Sequence, residues 1–256
     1  MSNPLVAIVC GYERGGTTLV SEILRQHPQL NSGFEGGLLL SDNPHDFRKL
    51  EPYVTSLKIS WGVNDEELEY ICSGAGWQDI FSRLLEKSRN VDGQFIFDKT
   101  PKYMEFLPEV MSRVDVPCIV IVRDPRALFF SWAKRSGLSI EDWSKRHLRA
   151  AITRYKKYAH GLKSAQARYK ERILVVQYES LCENPMVETQ RLMEFIGFDF
   201  DPAFVRFANP QQNIRENNVS SKFMYEYKNQ FSDETCSTIT SQLREFKAWF
   251  REPAPE

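Results

Sequence analysis

The chain has 256 residues, of which 42% are hydrophobic and 26% charged, as expected of a globular protein that buries a sizeable core. Its 33 Lys and Arg residues nearly balance its 34 Asp and Glu residues, and the net charge of −1 argues against a general nucleic-acid-binding protein. The five cysteines are scattered, which excludes the usual spacing of a zinc site and the dense framework of a disulfide-rich secreted domain.

The first residues lead directly into an apolar run, Leu5–Cys10, which has no basic segment before it and no cleavage-site pattern after it. No stretch approaches the roughly twenty apolar residues that a membrane span requires. The chain also contains no internal repeat, low-complexity tract or flexible linker. We therefore expect one domain over residues 1–256, no membrane span, and a reducing, cytoplasmic setting.

The order of apolar patterns along the chain predicts an α/β fold. Short apolar runs, mostly of β-branched or aromatic residues, predict strands buried on both faces: Leu5–Cys10, Gln94–Asp98, Cys118–Val122 and Ile173–Tyr178. Apolar residues at three- and four-residue spacing predict helices: Thr17–His27, Asp142–Lys170, Met186–Ile196 and Ser232–Phe250. Strands alternating with helices predict a central, mostly parallel sheet with helices on both faces, whose ligands bind beyond the carboxyl ends of the strands.

The segment between the first strand and the first helix is the most informative one. It contains three glycines: Gly11, Gly15 and Gly16. Glycines allow positive φ and close backbone approach, so successive N–H groups can face one anion. Arg14 adds a fixed cation, and the Thr17 and Thr18 hydroxyls can donate at the helix start. We prefer phosphate binding to a purely structural glycine turn, because strand, loop, cation and threonines occur in the required order.

This loop differs from that of nucleoside triphosphatases, which is written G-x-x-x-x-G-K-[ST]. No lysine precedes Thr17, and the cation stands earlier, at Arg14. The difference makes a triphosphate with its Mg²⁺ a less favoured ligand than a phosphate that carries another group.

A second constellation follows the third predicted strand. Arg123 ends that strand, and Ser131 lies eight residues later on the next helix. An arginine at a strand end and a serine on the adjoining helix can converge on one phosphate. The alternative is a capping turn with a surface arginine. Arg126, between the two, is expected at the helix start or facing solvent.

Residues 11–20, GYERGGTTLV, followed by HPQL at 27–30, resemble the 5′-phosphosulfate loop of the P-loop sulfotransferase superfamily, particularly of its bacterial small-molecule and carbohydrate branches. The Arg123 to Ser131 spacing is similar to that family's 3′-phosphate motif. The resemblance implies 3′-phosphoadenosine 5′-phosphosulfate as the sulfuryl donor, 3′-phosphoadenosine 5′-phosphate as the product, and no metal. It also implies that Arg14, Gly15, Gly16, Thr17 and Thr18 hold the 5′ end of the donor.

Further residues take their expected roles from the same resemblance. Residues 98–103, DKTPKY, resemble a segment of glycosaminoglycan sulfotransferases in which the lysine, here Lys99, faces the sulfuryl group. Glu35 matches the general base of the bacterial and glycan branches, with His45 as the alternative base. Tyr178 matches a residue near the adenine, where stacking is useful, although a buried core tyrosine would give the same pattern.

These observations predict a sulfotransferase that acts on a hydroxyl or amine of a small-molecule or carbohydrate acceptor. The resemblance does not extend over residues 40–92 and 205–230, where we expect acceptor selection. Two other functions fit parts of the pattern. One is a nucleotide-dependent kinase with an atypical loop, which would need a carboxylate for Mg²⁺, with Asp98 the candidate. The other is a non-catalytic nucleotide-binding protein. The basic residues between 145 and 172 are expected to form the solvated face of a long helix.

Overall fold

The computed structural model describes residues 3–207 and 218–250, and its centre is a parallel sheet. The strands of this part of the chain are β1 (Leu5–Gly11), β2 (Leu30–Asn31), β3 (Phe95–Lys99), β4 (Cys118–Val122) and β5 (Ile173–Gln177). They lie in the order β2-β3-β1-β4-β5, and every neighbouring pair is parallel. The predicted α/β fold with a central parallel sheet is therefore confirmed.

Alternating side chains of the strands enter two separate hydrophobic cores, one on each face of the sheet. On β4, for example, Val120 belongs to one core, whereas Ile119 and Ile121 belong to the other. All five residues of this strand are buried. A strand covered on both faces needs apolar residues throughout, which explains why the sequence shows continuous apolar runs and no strict alternation.

Helices cover both faces of the sheet. The helices of the described residues are α1 (Thr17–Arg25), α2 (Tyr53–Trp61), α3 (Asp65–Cys72), α4 (Trp77–Lys87), α5 (Leu107–Arg113), α6 (Pro125–Ser136), α7 (Ile140–Tyr169), α8 (Tyr178–Glu183), α9 (Pro185–Ile196) and α10 (Asp233–Gln242). Apolar residues of α1, α8 and α9 fill one core, and those of α2 to α7 and α10 fill the other. Within the described residues, none of the helices combines the length and apolarity that crossing a membrane would demand.

Short 3₁₀ turns connect these elements: Leu38–Leu40, His45–Lys49, Pro101–Met104, Lys170–Arg172, Pro202–Val205, Glu226–Asn229 and Arg244–Trp249. The predicted helix Ser232–Phe250 is wrong as a single element, because α10 ends at Gln242 and a 3₁₀ segment follows. In that segment the ring of Trp249 stacks on Phe246 with centroids 5.3 Å apart, and both rings contact Tyr155. In the 3₁₀ conformation these aromatic rings pack onto Tyr155 of α7. We attribute the end of the α-helix to this packing.

The strand order determines where a ligand can bind. The chain places β2 and β3 on one side of β1 and then places β4 and β5 on the other. Such a change of direction leaves a crevice at the carboxyl ends of the central strands. The carboxyl ends of β1, β3, β4 and β5, with the segments that follow them, all reach this edge, and they contain the phosphate loop, Lys99, Arg123 and Tyr178.

Candidate active site

A cavity of about 780 Å³ opens at the carboxyl edge of the sheet. Its lining combines charged, polar and aromatic side chains: Glu13, Arg14, Gly16, Thr17, Thr18, Leu19, Phe34, Glu35, Pro101, Arg123, Ala127, Ser131, Trp132, Lys134, Arg135, Ser136, Arg154, Tyr178, Asn218, Ser220, Phe223 and Glu226. The volume is within the range of sites for small ligands and cofactors.

The phosphate loop and the start of α1 line this cavity. Gly16 has φ +111° and caps α1 without a side-chain hydrogen bond, and the first turn of α1 contains no acidic residue. The first N–H groups of a helix have no intrahelical acceptor, so those of Thr17 and Thr18 favour an anion. A Cβ atom on Gly16 would lie 2.7 Å from the ring of Tyr178 and 2.8 Å from Ile121, so no larger residue fits there without displacing its neighbours.

Arg14 adopts a backbone conformation that non-glycine residues rarely have, with φ +68°. Hydrogen bonds on both sides of it hold this conformation. Trp132 Nε1 donates to the carbonyl of Glu13 at 2.7 Å, and Arg123 Nη1 donates to the carbonyl of Arg14 at 3.0 Å. A strained residue persists only where its surroundings determine it, and this frequently occurs at ligand sites.

Arg123 joins the phosphate loop to the opposite wall of the cavity. Its guanidinium lies 4.2 Å from the ring centroid of Tyr178, and Nη2 donates to the carbonyl of Phe223 at 2.6 Å. Its Nε atom is buried without an acceptor among the described residues. Ser131, two turns along α6, lines the same cavity. An arginine and a serine hydroxyl that line the same cavity together suit a phosphate oxygen.

Arg126 does not face solvent, contrary to one of the two sequence expectations for it. It lies in the first turn of α6, is only 7% exposed, and pairs with the buried carboxylate of Asp124 at 2.7 Å. The backbone N–H of Asp124 donates to Glu179 at 3.0 Å. Burial raises the pKa of Glu179 to about 7, with the hydrogen bond from Asp124 opposing the shift. These contacts hold the turn that contains Arg123 against the start of α8, where Tyr178 lies.

Glu35 lines the cavity on the side of β3, with its side chain 29% exposed. Lys99 Nζ lies 3.1 Å from Glu35 Oε1 and 3.9 Å from the ring centroid of Phe34. The Lys99 side chain is fully buried and is not part of the cavity lining. Burial lowers the pKa of Lys99, and the carboxylate of Glu35 opposes that shift. Of this pair, therefore, Glu35 lines the cavity, whereas Lys99 lies behind it and contacts Glu35.

Most of the residues singled out from the sequence converge on the cavity, and they share its lining: Arg14, Gly16, Thr17, Thr18, Glu35, Arg123, Ser131 and Tyr178. Gly15 lies just behind it and donates to the carbonyl of Tyr12 at 2.8 Å. His45 is not brought to the site. It is exposed, lies in the 3₁₀ turn after residue 44, and contacts Arg48 at 2.9 Å.

The sequence reasoning missed residues that complete the site. Arg154 of α7 pairs with Glu13 of the phosphate loop at 2.6 Å, and Tyr158 donates to the same carboxylate at 2.7 Å. Arg154 lies within the basic run assigned to a solvated helix face, so no local signal marks it. Trp132 directly follows Ser131, and its position in that motif could have drawn attention to it. Within residues 3–207 and 218–250, no three His, Cys, Asp or Glu side chains are grouped so that they could hold a metal ion.

Comparisons with known proteins agree with this geometry. A model described as "Sulfotransferase family" matches residues 5–202. The nodulation protein NoeE of Sinorhizobium fredii is 24% identical over 234 residues, which cover 82% of this chain and 53% of that protein. The chain thus spans about half the length of this curated relative.

Solved structures share the fold. The sulfotransferase domain of the Synechococcus PCC 7002 olefin synthase has a TM-score of 0.73 at 20% identity, over 99% of this chain and 98% of that one. The sulfotransferase domain of the curacin biosynthetic pathway has a TM-score of 0.67 at 17% identity, over 98% and 99%. Mouse sulfotransferase SULT7A1, complexed with PAP, has a TM-score of 0.58 at 14% identity, over 94% and 84%.

Proposed function

The chain belongs to the sulfotransferase family, whose model matches residues 5–202 of its 256, and from this membership we propose that it transfers a sulfuryl group from 3′-phosphoadenosine 5′-phosphosulfate to a hydroxyl or amine of a small-molecule or carbohydrate acceptor. One observation carries the proposal. The phosphate loop, the Arg123 and Ser131 pair, and Glu35 line a single cavity. We also propose that a single sulfotransferase domain accounts for the whole chain.

The residues present fit a nucleotide with phosphate at both its 5′ and 3′ positions. The uncapped start of α1 and the loop before it suit the 5′ end, and Gly16 leaves room where a Cβ would collide with Tyr178. Arg123 and Ser131, which line the same cavity, suit the 3′-phosphate. A sulfotransferase of similar fold, the mouse protein, has been solved with PAP, which supports this choice of nucleotide.

The proposed reaction is an in-line displacement at sulfur. The donor supplies an activated sulfuryl group, and the bond to the acceptor oxygen or nitrogen forms as the bond to the 5′-phosphate oxygen breaks. Glu35 takes the proton that the acceptor atom loses, a role for which a positioned carboxylate is suited. Arg14 offsets the negative charge that remains on the departing phosphate.

Lys99 acts through Glu35 in this arrangement. Its ammonium holds the Glu35 carboxylate at 3.1 Å from a buried position behind the cavity. When Glu35 becomes neutral by accepting the proton, Lys99 loses its hydrogen-bonded counter-ion, and its charge is less fully compensated. More positive potential then reaches the cavity at the moment when negative charge accumulates on the leaving group.

The proposal is tested by incubating the protein with the donor and a panel of hydroxyl and amine compounds. Mass spectrometry should detect a product heavier than its acceptor by one sulfuryl group, together with an equal amount of 3′-phosphoadenosine 5′-phosphate. A parallel incubation with ATP and Mg²⁺ tests the kinase alternative. Phosphorylated products in that incubation, with no sulfated product in the first, would overturn the proposal.

A further inference from the structure

The loop that contains Glu35 is tied to the segment after β3 by two hydrogen bonds from backbone N–H groups to side-chain hydroxyls. The N–H of Gly37 donates to Thr100 Oγ1, and the N–H of Leu39 donates to the hydroxyl of Tyr103, both at 3.0 Å. All of these groups are buried. The two bonds lie two and four residues after Glu35, so they fix the backbone on one side of it.

One buried carboxylate sets the direction of both bonds. Thr100 Oγ1 donates to Asp98 Oδ1 at 3.1 Å, and the hydroxyl of Tyr103 donates to Asp98 Oδ2 at 2.5 Å. An ionised carboxylate can only accept hydrogen bonds. Each hydroxyl therefore donates its hydrogen to Asp98 and accepts a hydrogen bond from a loop N–H with a lone pair.

We propose that Asp98 is a positioning residue for the base: through the hydroxyls of Thr100 and Tyr103 it holds the Gly37 and Leu39 N–H groups and thereby fixes the loop that presents Glu35 to the cavity. The inference rests on the proposed function, since it takes Glu35 as the base. It assigns Asp98 a task other than that of a metal-binding carboxylate.

Two features of Glu35 and its surroundings show why such a tether is needed. Glu35 has φ +20°, a value that residues other than glycine rarely adopt and that relaxes unless neighbouring contacts prevent it. Its carboxylate is held separately, by Lys99. Asp98 and Lys99 are consecutive residues at the end of β3, so one strand end controls both the backbone and the side chain of the base.

The charge of Asp98 matters for the same reason. The groups that face it are Tyr103, Thr100 and Lys99. Burial raises its pKa to about 6, while these three groups oppose the shift. A protonated Asp98 donates one hydrogen bond, so one of the two hydroxyls must turn its own hydrogen away from Asp98. Its oxygen then accepts from both Asp98 and the loop N–H, which changes the geometry of its bond to the loop. Turnover should therefore fall below about pH 6 through loosening of the loop, in addition to any effect on Glu35 itself.

Thr100→Val is the sharpest variant, because it removes one hydroxyl and keeps the shape of the side chain. Thr189→Val is its matched control, since Thr189 is equally buried and its hydroxyl has no partner among the described residues. Asp98→Asn and Tyr103→Phe provide a second and a third way to break the network if one variant fails to fold. The readouts are amide hydrogen exchange of residues 33–41, the dissociation constant of 3′-phosphoadenosine 5′-phosphate, and turnover with an acceptor found in the mass-spectrometric screen.

Thr100→Val should accelerate exchange in the 33–41 segment and lower turnover about 10- to 100-fold, the loss expected when a reacting group is misplaced by about an ångström. Nucleotide affinity should not change, and Thr189→Val should alter none of the three readouts. In a Glu35→Gln background, Thr100→Val should cause no further loss of turnover, because it acts through Glu35.

Unchanged exchange in Thr100→Val, or an equal loss of turnover in both backgrounds, would overturn the role of Asp98. A Glu35→Gln protein that turns over normally is a different failure. It would remove Glu35 as the base, and with it the positioning role, while sulfuryl transfer itself would stand.

Discussion

The two sides of the cavity are built in different ways. The donor side is the phosphate loop, where the uncapped start of α1 lines the cavity and a glycine prevents collision with Tyr178. The base side is the loop around Glu35, which has no such local support. It depends on Asp98, Thr100, Tyr103 and Lys99, which are more than sixty residues away in sequence.

Because of this difference, we expect that nucleotide binding and the rate of the reaction can be impaired independently. A substitution on the donor side should weaken nucleotide binding, because we propose that the loop backbone and Arg123 contact the ligand directly. A substitution on the base side should leave nucleotide binding intact and slow the reaction, because its residues act on or through Glu35. The following variants test whether the two effects are separate.

Glu35→Gln should have the largest effect. The substitution keeps the shape of the side chain and removes the proton acceptor, so turnover should fall by about 10²- to 10⁴-fold, the usual contribution of general base catalysis. Calorimetry should show an unchanged dissociation constant for 3′-phosphoadenosine 5′-phosphate. Loss of nucleotide binding in this variant would mean that Glu35 shapes the donor side and that the two sides are not separate.

Arg123→Ala should have the opposite signature. Removal of a charge-assisted contact to phosphate costs about 1.5–3 kcal/mol, so the affinity for 3′-phosphoadenosine 5′-phosphate should fall by about 10- to 150-fold. The affinity for 5′-AMP, which lacks the 3′-phosphate, should fall much less. Equal losses for both nucleotides, measured by the same titration, would remove Arg123 from the 3′ site.

The base side should also show a distinct dependence of stability on pH. Burial raises the pKa of Asp98 from 3.8 to about 6. The folded protein therefore binds a proton at Asp98 more tightly than the unfolded chain does, and protonation of Asp98 stabilises the folded state. The stabilising contribution is complete below about pH 4 and is lost as the pH rises through 6. Between these values the free energy of unfolding of the wild type should fall by about 1–3 kcal/mol relative to Asp98→Asn, at about 1.4 kcal/mol per pKa unit. Denaturant titrations at several pH values check this, and a constant difference between the two proteins would contradict it.

Chelation should have the smallest effect. Since the proposed charge stabilisation comes from Arg14 and, through Glu35, from Lys99, EDTA should leave turnover unchanged. Complete inhibition that is reversed by added Mg²⁺ would instead point to a metal on the donor side and favour the kinase alternative.

The sequence indicated which residues of the donor side lie together, because its signals are local. The glycines, Arg14 and the threonines lie within eight residues of one another between a strand and a helix, and Arg123 and Ser131 lie on adjoining elements. The α/β fold was predictable for the same reason, since continuous apolar runs mark strands that are covered on both faces.

The base side was predictable only in part. The resemblance indicated Glu35 and Lys99, yet their contact joins residues 64 positions apart and has no local pattern. His45 was the alternative base from the sequence, and only the fold shows that it lies outside the cavity. Arg154 was hidden in a basic helix, because its pairing with Glu13 depends on how α7 packs against the phosphate loop. Such long-range contacts follow from tertiary packing and cannot be derived from local spacing.

The central claim is that this cavity binds a nucleotide with a 3′-phosphate for sulfuryl transfer. Its most direct test is a calorimetric titration of the wild-type protein with 3′-phosphoadenosine 5′-phosphate, with 5′-AMP, and with ATP in the presence of Mg²⁺. We predict that the bisphosphate binds more tightly than either of the others and that its affinity does not depend on Mg²⁺. Tighter binding of ATP with Mg²⁺, or equal binding of the bisphosphate and 5′-AMP, would contradict this account.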